Sequence, residues 1–195
     1  MPVNPAALRG KGGLLRRSSH ATIAHAMSVS CCLLRLSGPD LIELERRLTE
    51  DKTAAYAFLQ HDKLSESTGN LEQGWYGLHF LLTGLDIYES KGEPPLNFIA
   101  TGDRNYTATP EFLGGHLLEP STVQRASAAL SALTPSDLKQ RYNPAQFRAK
   151  DVYPAIWSDA EADDSFDFLV QSFDEAQRLL VAAAAAQQSV VVYFV

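Results

Sequence analysis

Leu71-Glu72-Gln73-Gly74-Trp75-Tyr76-Gly77-Leu78-His79-Phe80-Leu81-Leu82-Thr83-Gly84 is the most apolar helical segment in the first half of this 195-residue chain. Leu71, Trp75, Leu78 and Leu82 recur at three and four residues, the spacing of one buried helix face. Thr83-Gly84 ends the helix, since glycine takes left-handed backbone without a Cβ penalty. His79 stands one turn from Trp75, at the edge of the stripe.

Strands flank a helical middle. Met27 to Leu36 alternates Val29, Cys31 and Leu33 and reads as a strand. Ser37-Gly38-Pro39-Asp40 opens a helix with a cap, a first-turn proline and an acid suited to the helix dipole. Leu41, Leu44 and Leu48 form its buried stripe. A short helix over 52–60 turns Ala55, Phe58 and Leu59 inward, and 63–70 is polar and turn-like. Residues 96–100 read as a short strand or helical turn, and 101–115 as irregular.

Beyond Pro120 the pattern is helical again. Ser121 is a candidate cap for a helix bearing Val123, Leu130 and Leu133, and Thr134-Pro135-Ser136-Asp137 starts one bearing Leu138 and Tyr142. Tyr153-Pro154-Ala155-Ile156-Trp157 is an aromatic loop. The longest helix spans about 159–187, with Phe166, Leu169, Val170, Phe173 and Leu180 inward. Ser189 to Val195 (SVVVYFV) closes the chain as a buried strand. Pairing Val190–Phe194 with Val29–Leu34 gives an α+β fold: a small sheet holding the N- and C-terminal strands, covered by several helices.

Apolar residues make up 45% and charged residues 21%, and the net charge is −6, an ordinary composition for a globular protein. The charge is uneven. Residues 1–26 carry Arg9, Lys11, Arg16 and Arg17 and no acid, so the remainder holds 13 basic and 23 acidic residues, a net of −10. That acidic body argues against nucleic acid, whose phosphates it would repel. No apolar run approaches the roughly 20 residues needed to span a bilayer. Residues 1–26 lack the apolar core of a secretory signal and show no helical period. They read as a disordered tail or, if Met27 is the initiator, an upstream extension; 27–195 then forms a single domain. Neighbouring Cys31 and Cys32 point to opposite faces of a strand, which suits two reduced thiols in the cytoplasm rather than a disulfide.

Two places attract attention for chemistry. His79 beside Trp75 suits a general base, a ligand-stacking site or a core histidine bonded to a carbonyl. The aromatic loop with Tyr153 and Trp157 suits a pocket wall or a plug at the end of the core. The acids Asp159, Glu161, Asp163, Asp164 and Asp167 occupy some calcium-loop positions. They lack the glycine at the sixth (Asp164) and the acid at the twelfth (Val170), and acids are at home at a helix N-terminus. No P-loop, dinucleotide fingerprint or G-x-S-x-G elbow occurs, and the histidines show no metal-ligand spacing, so neither cofactor nor metal is expected.

Three segments carry a resemblance: 27–37; 74–84 with Pro94-Pro95-Leu96; and 130–133 continuing through Leu138, Arg141-Tyr142 and 151–157. In order and spacing the chain resembles the YfbM-like family, small bacterial proteins of unknown function, from Met27 to the last strand. The resemblance implies an α+β fold and no particular reaction. Tyr76 replaces a polar residue that relatives often carry after the tryptophan, and 111–120 lacks a turn common among them.

Two functional expectations follow. One is a binding or interaction protein, in a toxin–immunity or stress setting, whose acidic body meets a basic protein partner. The other is an enzyme or small-ligand sensor whose pocket is lined by Trp75, His79, Tyr153 and Trp157, with Asp103 or Asp151 supplying a carboxylate.

Overall fold

The two cysteines show how the chain is layered. The computed structural model describes residues 29–107 and 114–195; the expectations for residues 1–26, for a strand start at Met27 and for the turn around 111–113 lie outside them. Cys31 packs into one apolar cluster with Leu33, Val190 and Val192. Cys32 packs into a second with Leu34, Leu36, Val191 and Tyr193. Successive strand residues face opposite ways, so a strand buried on both faces needs a continuous apolar run. The last strand has one over residues 190–194, and the first over residues 31–34.

Among the described residues, the sheet has five strands: β1 (Cys31–Leu36), β2 (Thr68–Asn70), β3 (Arg104–Tyr106), β4 (Gly115–Leu118) and β5 (Ser189–Phe194). Their order is β2-β1-β5-β4-β3, and every pairing is antiparallel. The expected pairing of the terminal strands is present, with Cys31 opposite Phe194 and Leu36 opposite Ser189. The β1 partners begin two residues later than the alternation suggested.

Seven α-helices cover the sheet among the described residues: α1 (Gly38–Glu50), α2 (Lys52–Leu59), α3 (Trp75–Thr83), α4 (Pro120–Ser131), α5 (Pro135–Arg141), α6 (Pro144–Ala149) and α7 (Ala162–Ala185). Leu44 of α1 and Ala55 and Leu59 of α2 lie in the second cluster. Helices α3, α4 and α7 supply much of the first, larger cluster. The result is a three-layer α+β architecture. Each fully buried leucine, such as Leu33 or Leu78, stabilises it by about 2 kcal/mol.

Several local readings hold. Ser37 accepts the Asp40 N–H at 3.4 Å, with a proline in the first turn of α1. Thr134 and Asp137 form a reciprocal capping box on α5. Gly84 takes φ 71° and its N–H closes α3 on the Phe80 carbonyl at 2.8 Å.

Others need correction. Helix α3 starts at Trp75, after a 3₁₀ turn over Glu72–Gly74. Residues 63–70 hold β2 as well as a turn, and 101–115 contains β3 and the first residue of β4. Ser121 does not cap α4. The cap residue is Glu119, and the Asp103 carboxylate accepts its N–H at 2.7 Å and the Thr122 hydroxyl at 3.0 Å. His79 is not at an edge: every residue from Trp75 to Leu82 is buried, His79 completely.

Candidate functional site

Helix α3 separates the residues proposed for a shared pocket. Gly77 faces α7 and the aromatic loop, where a Cβ would stand 2.7 Å from Leu169 Cδ2 and 2.8 Å from Trp157 Cη2. His79 is two residues on, a rotation of about 200°. Its ring therefore points away from Trp157. Its Nε2 lies 3.4 Å from Thr83 Oγ1. Its Nδ1 makes no hydrogen bond of standard geometry among the described residues. Burial pushes its pKa down to about 4, against the weaker pull of the Ser90 backbone and the Asp86 carboxylate. A neutral imidazole walled off from solvent is poorly placed to exchange protons with a substrate.

Trp75 is a pin in the core. Its Nε1 donates to the Val29 carbonyl at 2.9 Å, and its ring meets Phe194 edge-on at 5.0 Å and stacks with Tyr76 at 5.6 Å. It thereby ties α3 to β5 and to the residues that lead into β1. Asp103 is occupied at the start of α4. Tyr153 is half-buried against the larger core.

Trp157 does reach a cavity. A cleft of 330 Å³ opens between the end of α6 and the loop that precedes α7. Its walls are Phe147, Val152, Ala155 and Trp157, and its polar groups belong to Arg148, Asp151 and Ser158. The sequence singled out Asp151, Ala155 and Trp157 within this segment; Trp75, His79, Asp103 and Tyr153 do not line it.

Short-range bonds hold the cleft in shape. Trp157 is almost fully buried and its Nε1 donates to the Val152 carbonyl at 2.6 Å. Its ring lies 4.7 Å from that of Phe147. Arg148 donates to the Trp157 carbonyl at 2.6 Å and grips both oxygens of Asp159 at 3.0 and 2.9 Å. The Val152 N–H returns to the Phe147 carbonyl at 3.0 Å and the Asp151 N–H to Arg148 at 3.1 Å. This hairpin places Asp151 at φ 49°, a left-handed conformation that aspartate tolerates better than most residues.

Ser158 and Glu161 bond side chain to side chain at 3.1 Å, and the Glu161 N–H returns to Ser158 at 3.1 Å. This reciprocal pair closes the turn before α7. Two further acids of the suspected calcium segment are held by separate cations: Asp159 by Arg148 and Asp163 by Lys139 at 2.7 Å. Among the described residues no three His, Cys, Asp or Glu side chains gather as a metal set, and no helix is long and apolar enough to cross a membrane.

Sequence reasoning overlooked Phe147, Arg148, Val152 and Ser158 as cleft residues. Phe147 and Val152 were visible as apolar positions bracketing a turn. The Arg148–Asp159 clamp joins residues across an irregular loop and leaves no periodic trace.

Comparison with known proteins agrees with the fold. A solved structure titled as a protein of unknown function, YfbM from Escherichia coli, superposes with a TM-score of 0.67 at 14% identity, covering 85% of this chain and 99% of that one. At that identity the likeness concerns the fold. No curated protein matches the chain. The sequence model described as "Domain of unknown function (DUF1877)" matches residues 27–193, and the chain belongs to this YfbM-like family.

Proposed function

We propose that this chain is a binding protein and that the cleft beside α6 receives its partner. The observation that carries this reading is the cleft's construction. Its walls are aromatic and aliphatic, while its indole N–H and its guanidinium are already spent on internal bonds. Such a surface is preformed in shape, which lowers the ordering cost of binding. The two polar groups best suited to catalysis are placed elsewhere or otherwise engaged: His79 is sealed in the core, and Ser158 closes a turn with Glu161. Two buried free cysteines agree with a working place in a reducing cytoplasm, and the acidic remainder of the chain agrees with a protein partner rather than nucleic acid.

The test is a residue-resolved NMR titration with small amphiphiles: an alkyl amine, an alkyl carboxylate and an alcohol of equal length. Binding that moves the amides of 147–158, and that is lost when Ala155→Trp fills the cleft, supports the reading. Binding that maps to another surface, or that survives Ala155→Trp, overturns it.

A further inference from the structure

The charges around the cleft are unequally free. Arg148 is held by Asp159 through two hydrogen bonds, so a ligand anion would have to displace a bidentate carboxylate. Lys150 is held by Glu89 at 2.6 Å. Asp151, directly after Lys150 in sequence, is exposed and has no ion pair among the described residues. It is the free charge at the cleft wall. Its left-handed backbone, fixed by the hairpin from Phe147 to Val152, holds the carboxylate at the rim while the apolar walls lie beside it.

That pairing of an apolar slot with a rim carboxylate suits one kind of side chain. Lysine carries a four-carbon stem that packs on aromatic and aliphatic surface, and an ammonium that must stay near water or a counter-charge. The stem would lie against exposed Ala155, over the buried Trp157 and Val152 that floor the cleft, with the ammonium at Asp151. The net charge of −10 outside residues 1–26 favours approach of a cationic segment from a distance. Apolar surface is available alongside. Ile156 belongs to the cleft loop and is 38% exposed. The Lys150–Glu89 pair draws in the loop that carries exposed Leu85 and Tyr88.

Resting on the reading of the cleft as the binding site, we propose that its occupant is a lysine side chain on an extended basic segment of a partner protein. The segment lays flanking apolar residues over Ile156 and the 85–88 loop. Recognition is electrostatic at the rim and hydrophobic in the slot.

The experiment uses the full chain and three acetylated, amidated alanine pentapeptides with lysine, norleucine or glutamate at the centre, followed by amide NMR shifts. The lysine peptide is expected to move the amides of 147–158 and to bind more weakly as salt is raised. Asp151→Asn, which keeps the left-handed backbone accessible, is expected to weaken it about fivefold. Asp151→Ala serves as a second variant, with the same loss expected. The norleucine peptide is expected to bind more weakly than lysine, and the glutamate peptide weakest. Norleucine binding at 147–158 as tightly as lysine, with no effect of salt or of either variant, overturns the cation while the cleft reading stands. Absence of shifts at 147–158 with every peptide overturns both.

Discussion

The indole of Trp157 packs against the bare backbone of Gly77, so closely that a Cβ there would lie 2.8 Å from Cη2 and 3.0 Å from Cζ2. This contact joins the buried helix α3 to the loop that forms the cleft. It also sets the side of α3 from which His79 is excluded.

Gly77→Ala puts two effects in competition. Alanine favours the helix by about 1 kcal/mol, but overpacking a filled site costs about 1–3 kcal/mol. Leu169 can swing aside; Trp157 is fixed by its bond to Val152 and by Phe147. Because Trp157 cannot give way, the overpacking cost falls at about 2–3 kcal/mol, and the variant is expected to lose about 1–2 kcal/mol in urea unfolding and to shift the amides of 147–158. Stability equal to or above that of the unaltered protein would contradict the packing.

His79 makes stability depend on pH. Its folded pKa is lowered to about 4, below the ordinary 6.5. The unfolded chain therefore takes up the proton first as pH falls. The stability from a neutral buried His79 is complete above about pH 6.5 and declines as pH drops toward 4. Between pH 7.5 and 5 this contributes a loss of about 2 kcal/mol. His116, also lowered by burial and bonded to the Phe98 carbonyl at 2.7 Å, acts in the same direction. Comparing His79→Leu with the unaltered protein isolates the first residue. The variant should show the smaller loss, and equal losses would show that His79 does not titrate as described.

The terminal strands, the long helix α7 and the start of α5 were legible because each rests on local spacing. Alternation of Val29, Cys31 and Leu33 signals the first strand, the apolar run at 190–194 a buried last strand, and Thr134-Pro135-Ser136-Asp137 a helix start. β2, β3 and β4 were not legible. Thr68-Gly69-Asn70 and Arg104-Asn105-Tyr106 are three residues each, too short to show a period, and are strands because β1 and β4 pair with them.

His79 was misplaced for a different reason. Leu71, Trp75, Leu78 and Leu82 define a stripe, but Tyr76, Phe80 and Leu81 make the helix apolar all round, which is the mark of a fully buried helix. The cleft was half legible. Its aromatic loop announced itself, whereas the clamp between Arg148 and Asp159 depends on how the loop folds back.

The α5 cap gives a smaller, local test. Thr134 accepts the Asp137 N–H at 3.2 Å and the Asp137 carboxylate accepts the Thr134 N–H at 2.8 Å. Thr134→Ala should cost about 1 kcal/mol in urea unfolding, and Thr134→Ser should restore most of it. A serine variant as unstable as the alanine variant would contradict a capping role.

Cys31 and Cys32 are both buried and free, on opposite faces of β1. Burial raises the pKa of both thiols, so neither presents a thiolate at neutral pH. A thiol reagent should label neither in the folded protein and both in denaturant, as counted by intact mass. Rapid labelling of either in the folded protein would contradict their burial.

The central claim is that the cleft walled by Val152, Ala155 and Trp157 is where a basic partner docks. Ala155 is exposed and lines the cleft, so an indole there fills the slot without entering the core. The most direct measurement is the affinity of Ala155→Trp for the lysine-centred pentapeptide, with its melting temperature recorded alongside. The account predicts lost binding at an unchanged melting temperature. Unchanged affinity in that variant would contradict it.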